Sequence, residues 1–248
     1  LDYRGHKGIA TALGHAPQAG LASPEAGSVL SVSEALTNIV WAPLEEGMDS
    51  ISLSANWMWP CRSQKGEDAR LYKAVEALSN FCCALQINVP TGKDSLSLSQ
   101  QYPNGEKIIS PGTVIVSAGG QVSDVRKVVS PVIKNDPKTT LLHIDFSFDR
   151  LRLGGSAFAQ SLGYVGSDVP TCCNPEYFRE AAVLRREIGL DLTINPEYAA
   201  AQEIARILRV PAAFSVESLA RGLVELIGFQ LTEGGAMVGV SLTDYNRS

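Results

Sequence analysis

Charge is scarce in this chain, and what there is leans acidic: 21 Lys and Arg against 26 Asp and Glu, a net charge of −5. Neutralising the phosphates of a duplex needs clustered Lys and Arg, and no such cluster occurs, so nucleic acid is not an expected partner. No apolar run approaches the roughly 18 residues of a membrane-spanning helix, so no membrane insertion is expected. The five cysteines fall as Cys61 and the adjacent pairs Cys82-Cys83 and Cys172-Cys173. An odd number, neighbours that rarely bridge, no Cys-x-x-Cys and no secretory leader at Leu1 fit a reduced, cytoplasmic protein without a zinc site. From the start at Leu1 instead of methionine, the chain is expected to be a piece of something longer. Of the three histidines, His15 has no carboxylate or cysteine beside it in sequence to build a proton relay, and reads as a structural or rim residue.

With 45% hydrophobic residues over 248 positions the chain can bury one large core or two modest ones. Its chemistry is concentrated in Pro90-Thr91-Gly92-Lys93-Asp94-Ser95-Leu96-Ser97, placed between β-like apolar runs. A glycine followed by a cation, a carboxylate and a hydroxyl is what a loop needs to meet a phosphate and its Mg²⁺. It is not a P-loop, because Ile87 stands where that motif has its first glycine and Asp94 where it has Ser or Thr. A polar turn between strands explains the same residues.

Along the chain, the Gly-, Ala- and Pro-rich residues 1–30 read as loops around one short element. From Ser31 or Ser33 a helix is expected to about Val40, capped by serine and ended by Pro43. Glu34 and Asn38 share one face of it, a suitable oxygen pair for Mg²⁺ or else an exposed polar face. Residues 51–59 alternate as a half-buried strand, with Trp57 and Trp59 as packing residues. Residues 67–85 carry a helical apolar stripe that includes Cys82. Residues 107–109 and 113–116 read as strands separated by Ser110-Pro111-Gly112. The Pro-bearing stretch 130–137 reads as a linker. Beyond it, residues 140–145 are a buried-strand candidate with His143 in the core or at its rim, and 157–162 a helix. Gly154-Gly155 ahead of that helix offers either free N–H groups for an anion or a tight turn.

The runs Ser33 to Asn38, Leu53 to Pro60, Gly66 to Tyr72, Pro90 to Ser97, Pro111 to Ile115 and Leu153 to Gln160 resemble the phosphoribosylformylglycinamidine synthase family, an ATP-dependent amidotransferase of purine biosynthesis. The resemblance implies an α+β fold: an aminoimidazole-ribonucleotide-synthetase-like N-domain over 1–130 and the start of its C-domain over 131–172. It implies the second of that enzyme's two such halves, with strands that join a partner half in a shared barrel. Glu34 and Asn38 fall where the family holds Mg²⁺ on bound ADP or ATP. Lys93, Asp94 and Ser95 fall in its Gly-Lys-Asp-Ser loop, implied to contact phosphate or substrate. Leu98 replaces the family's usual methionine at little cost. The implied reaction activates an amide oxygen of formylglycinamide ribonucleotide with ATP, and ammonia then displaces phosphate. The implied partners are the other synthetase half and a glutaminase domain that supplies the ammonia, so this piece is not expected to catalyse the reaction alone.

After Pro170 the resemblance stops. Asn174-Pro175-Glu176-Tyr177 opens a helix ending near Gly189, residues 191–194 form a short strand, and Asn195-Pro196-Glu197-Tyr198 opens a second helix to about Arg209. Residues 173–248, through Gly189 to Glu197, Ala201 to Arg209 and Gly222 to Ile227, are similar to the regulatory subunit of Trk potassium uptake. This implies an α/β segment from the end of a Rossmann-like domain, and a regulatory nucleotide-binding module as the alternative function. The expected seam lies at Thr171 to Asn174. In the competing reading of one diverged amidotransferase, Glu217 would replace a missing aspartate.

Overall fold

A computed structural model describes residues 4–129, 136–140, 142–188, 213–219 and 224–229. The chain divides into two compact units, Leu1–Thr193 and Ile194–Ser248. The first is an α+β unit in the order β1 (Gly8–His15), α1 (Pro17–Ala22), α2 (Pro24–Ile39), β2 (Ile51–Met58), α3 (Glu67–Ala84), β3 (Asn88–Ser95), β4 (Ser99–Gln101), β5 (Lys107–Ile109), β6 (Thr113–Val122), α4 (Ala157–Ser161) and α5 (Pro175–Ile188). Four strands make one mixed sheet in the order β1-β6-β2-β3. β6 is antiparallel to both β1 and β2, whereas β2 and β3 are parallel. That parallel pair is joined through α3, because parallel neighbours need a crossover and a helix supplies it.

The alternation expected for residues 51–59 is present. Ile51, Leu53 and Ala55 turn into the core with Val114, Val116 and Ala118, while Ser52, Ser54 and Asn56 turn to the other face. α2 and α3 cover the core face with Val32, Ala35, Leu36, Ile39, Leu78, Phe81 and Cys82. Cys82 is the small apolar filling its position predicts, and all five cysteines are free. Trp59 is fully buried and Trp57 packs at the edge of the core.

Four expectations need correction. The stretch 1–30 expected as loops is, over its described residues 4–30, mostly β1, α1 and the first two turns of α2, because small residues there let backbones pack. A Cβ on Gly27 would lie 2.5 Å from the Gly20 Cα. The second helix begins at Pro24, not at Ser31 or Ser33. Its cap is Ser23, which accepts from the Ala26 N–H, with Pro24 at the first position. Ser31 and Ser33 are buried inside it, their hydroxyls donating to the carbonyls of Gly27 and Val29.

The Gly-Lys-Asp-Ser segment is the end of strand β3, not a loop. Residues 142–145 form no strand either. An Asx turn at Asp145 accepts from Ser147, the Tyr177 hydroxyl donates to the Asp145 carbonyl, and His143 is exposed.

α5 begins as predicted, with the Asn174 side chain accepting from the Tyr177 N–H and Pro175 in the first turn. It then enters the core of the first unit. Phe178 is fully buried, edge-on to Phe81 and tilted against Phe146, and Arg179 donates to the Leu85 carbonyl at 2.7 Å and pairs with Asp49. In the second unit, β7 (Ala213–Leu219) and β8 (Val224–Phe229) pair antiparallel, and Glu217 lies in β7 opposite Leu226. The expected strand 191–194 and helix 195–209 lie outside the described residues, as does most of the 130–137 linker. Among the described residues no helix is long and apolar enough to cross a membrane.

Candidate functional site

The first candidate position is built by the crossing of α2 over β1. Gly14 makes it possible, since a Cβ there would lie 1.9 Å from the Ser31 carbonyl oxygen and 2.5 Å from the Ala35 nitrogen. The close crossing sets Glu34 and Asn38, one helical turn apart, against the open edge of the sheet. The Glu34 carboxylate accepts from the His15 N–H at 2.6 Å, and the Asn38 amide donates to the Leu13 carbonyl at 3.0 Å. These are backbone groups of an edge strand, which need partners from outside the sheet. The His15 ring turns to the face away from the helices and lies 2.9 Å from the Thr113 hydroxyl. Partial burial holds its pKa below the ordinary imidazole value.

The second position is the opposite edge. Lys93 and Ser95 share a face of β3, with the Lys93 ammonium 3.4 Å from the Ser95 hydroxyl. Asp94, next in the alternation, faces the other way, alongside Trp57. Its charge, with those of Asp68 and Glu67, adds to burial in pushing the Cys61 thiol up.

One crosswise row joins the two edges: His15 is opposite Ile115, Ile115 opposite Asn56, and Asn56 opposite Lys93. The structure therefore brings Glu34 together with Asn38, and Lys93 together with Ser95. It does not bring the two pairs into one pocket, because three interstrand spacings of ~4.8 Å separate their strands. Asn56 lies within the Leu53 to Pro60 run, but the sequence assigns it no binding role. Its mark is structural: the Oδ1 atom is buried with no hydrogen-bond partner.

Glu34 and Asn38 offer oxygen donors on one helical face, the kind of pair Mg²⁺ accepts when phosphates and water complete its shell. Among the described residues there is no group of three or more His, Cys, Asp and Glu placed to hold a metal by protein ligands alone. Gly154-Gly155 resolves as a tight turn. The two N–H groups donate to the carbonyls of Asp168 and Val165, and a Cβ on Gly155 would lie 2.5 Å from the Ala19 Cα.

Residues 1–121 match the model of the FGAR-AT PurM_N-like domain. The probable phosphoribosylformylglycinamidine synthase of Arabidopsis thaliana is 38% identical over 173 residues, 69% of this chain and 12% of the relative. That of Caenorhabditis elegans is 32% identical over 235 residues, 94% of this chain and 16% of the relative, so this similarity necessarily enters the tail set apart above. The chain thus spans only a small part of the curated relatives it matches. Among solved structures, T. maritima PurL complexed with FGAR has a TM-score of 0.50 at 14% identity, covering 75% of this chain and 28% of that one, a likeness of fold. The same protein has been solved with ATP and with ADP, at TM-scores of 0.38 and 0.39. Over residues 1–121 the chain matches the FGAR-AT PurM_N-like domain, and as a whole it is a fragment-length match to phosphoribosylformylglycinamidine synthase.

Proposed function

We propose that this chain is the nucleotide-handling part of the second synthetase-like half of a phosphoribosylformylglycinamidine synthase, acting in the cytoplasm in purine biosynthesis. In the whole enzyme it would serve the ATP-dependent amidation of formylglycinamide ribonucleotide, with the other synthetase half and a glutaminase domain as partners. Glu34 and Asn38 would hold Mg²⁺ on ADP or ATP at the β1 edge. Lys93 and Ser95 would contact a phosphate at the β3 edge, with Asp94 contributing from the opposite face.

The observation that carries this reading is the placement of Glu34 and Asn38 one turn apart beside His15, at the end of β1. In the metal-loaded complex Mg²⁺ would supply charge compensation for the nucleotide phosphates. Glu34 would keep its hold on the His15 N–H, so that helix and strand present the donors in one orientation.

Calorimetric titration with Mg-ADP tests the metal site. Glu34→Gln keeps an acceptor for the His15 N–H while removing the charge, and is expected to weaken binding about tenfold or more; Asn38→Ala should also weaken it. Binding that survives both changes overturns the assignment. The phosphate contact is tested separately with Lys93→Ala.

The same contacts favour a second, structural role for Glu34 and Asn38 as a cap on the exposed edge of β1. Glu34→Gln separates the two roles because it spares the cap.

A further inference from the structure

We infer that Asn56 is a specificity-determining residue of the phosphate contact proposed at Lys93 and Ser95, taking a hydroxyl or N–H of the ligand next to its phosphate. The inference rests on that contact being real, and adds a residue that neither motif nor comparison singles out.

The Oδ1 of Asn56 is buried and meets no donor among the described residues. An amide oxygen removed from water without a partner is destabilising, and folded proteins pair the great majority of such atoms. Asn56 lies on the sheet face turned away from the helices, between Ile115 of β6 and Lys93 of β3.

Its in-register neighbour carries the complementary group. Lys93 stands in register on the parallel neighbour β3, and adjacent strands lie about 4.8 Å apart. Yet the Lys93 ammonium reaches toward Ser95, at 3.4 Å. One cation, one hydroxyl and one unpaired amide oxygen thus occupy adjacent positions of two neighbouring strands. An anion alone satisfies the first two and leaves the third as it was. A phosphomonoester with an O–H or N–H a few bonds from its phosphorus satisfies all three.

Two dianions of the same head group separate these cases: methyl phosphate, with no donor beside the ester, and glycerol 3-phosphate, with hydroxyls there. NMR-monitored titration of the full chain is expected to show glycerol 3-phosphate binding about three- to tenfold tighter, the effect of one hydrogen bond. In Asn56→Leu the preference should vanish, with the unfolding midpoint held or raised. In Asn56→Asp the new carboxylate opposes the anion beside Lys93, and both ligands should weaken.

Equal affinity of the wild-type protein for the two ligands, or a preference that survives Asn56→Leu, overturns the inference while leaving the phosphate contact standing. Should Lys93→Ala bind both ligands like the wild type, the phosphate contact itself fails, and the role of Asn56 with it. The wild-type comparison needs no substitution, so the inference stays testable even if a variant does not fold.

Discussion

The Glu34 carboxylate accepts a 2.6 Å hydrogen bond from the backbone N–H of His15, joining the middle of α2 to the last residue of an edge strand. A residue that sequence offers as a metal ligand is thereby also a structural tie. Glu34→Ala should cost about 1–2 kcal/mol, since a charge-assisted bond is lost at the strand end, whereas Glu34→Gln should stay within about 0.5 kcal/mol. Urea unfolding of both variants measures this; equal losses would show that the tie depends on charge instead of on the acceptor.

Gly14 and Gly119 form a matched pair for substitution. A Cβ at Gly14 meets helix backbone at 1.9 Å, which α2 relieves only by moving off the sheet, while one at Gly119 meets nothing within 4 Å. Gly14→Ala is expected to lose about 3 kcal/mol and Gly119→Ala to lie within about 0.5 kcal/mol of the wild type. Comparable unfolding midpoints for the two would refute the close crossing of α2 over β1.

Phe178 makes α5 a part of the first core. Phe178→Ala should lose about 3–5 kcal/mol, the usual cost of emptying a fully buried aromatic position. A chain ending at residue 173 should melt well below the full chain, while one ending at residue 193 should keep the midpoint of the first unit. Retention of that midpoint by the shorter chain would restore the seam expected at 171–174.

His15 gives the fold an acid-side slope. Its folded-state pKa is depressed by burial, so the folded state favours the neutral ring. The contribution is complete above the ordinary value of about 6.5 and declines as the pH falls from there towards the folded-state value. Unfolding measured between pH 7.5 and 5 should lose part of its pH dependence in His15→Gln; an unchanged slope would assign it to other groups.

Burial pushes the Cys82 and Cys172 thiols up to about 12 and about 11, against an ordinary thiol value of 9.0. The Cys172 thiol is also 3.0 Å from the Ser33 hydroxyl. At pH 8 both should be alkylated last, with mass spectrometry after trypsin reading the order, because only thiolate reacts. Early labelling of either would show that its packing opens in solution. The same shifts mean that these residues contribute stability below the unfolded-chain value, which is lost as the pH rises towards their folded-state values.

Much of the first unit can be read along the chain. The alternation in 51–58 follows from one face of β2 meeting the core, and the stripe in 67–84 from α3 lying over that core. Asn174-Pro175 announces α5 because an amide cap and a pre-set φ favour a helix start. Buried small residues were harder to read. Gly14, Gly20 and Gly27 look like loop formers, yet Gly14 and Gly27 serve close packing of helix on strand and helix on helix. Ser31 and Ser33 look like caps, yet their hydroxyls bond back into the same helix, which only burial makes necessary. The unpaired state of Asn56 cannot be read from the sequence, because an unpaired atom is defined by neighbours from other strands.

From its own residues, then, the chain determined where helices and strands form, which faces are apolar, and which polar residues stand ready for a phosphate and a divalent cation. Strand order and register were decided in three dimensions. They put Glu34 and Asn38 at one edge of the sheet, Lys93 and Ser95 at the other, and Asn56 beside Lys93. The physical reason is that local periodicity specifies which side of a strand faces the core, whereas its neighbours are chosen by pairing and packing between residues up to about a hundred positions apart.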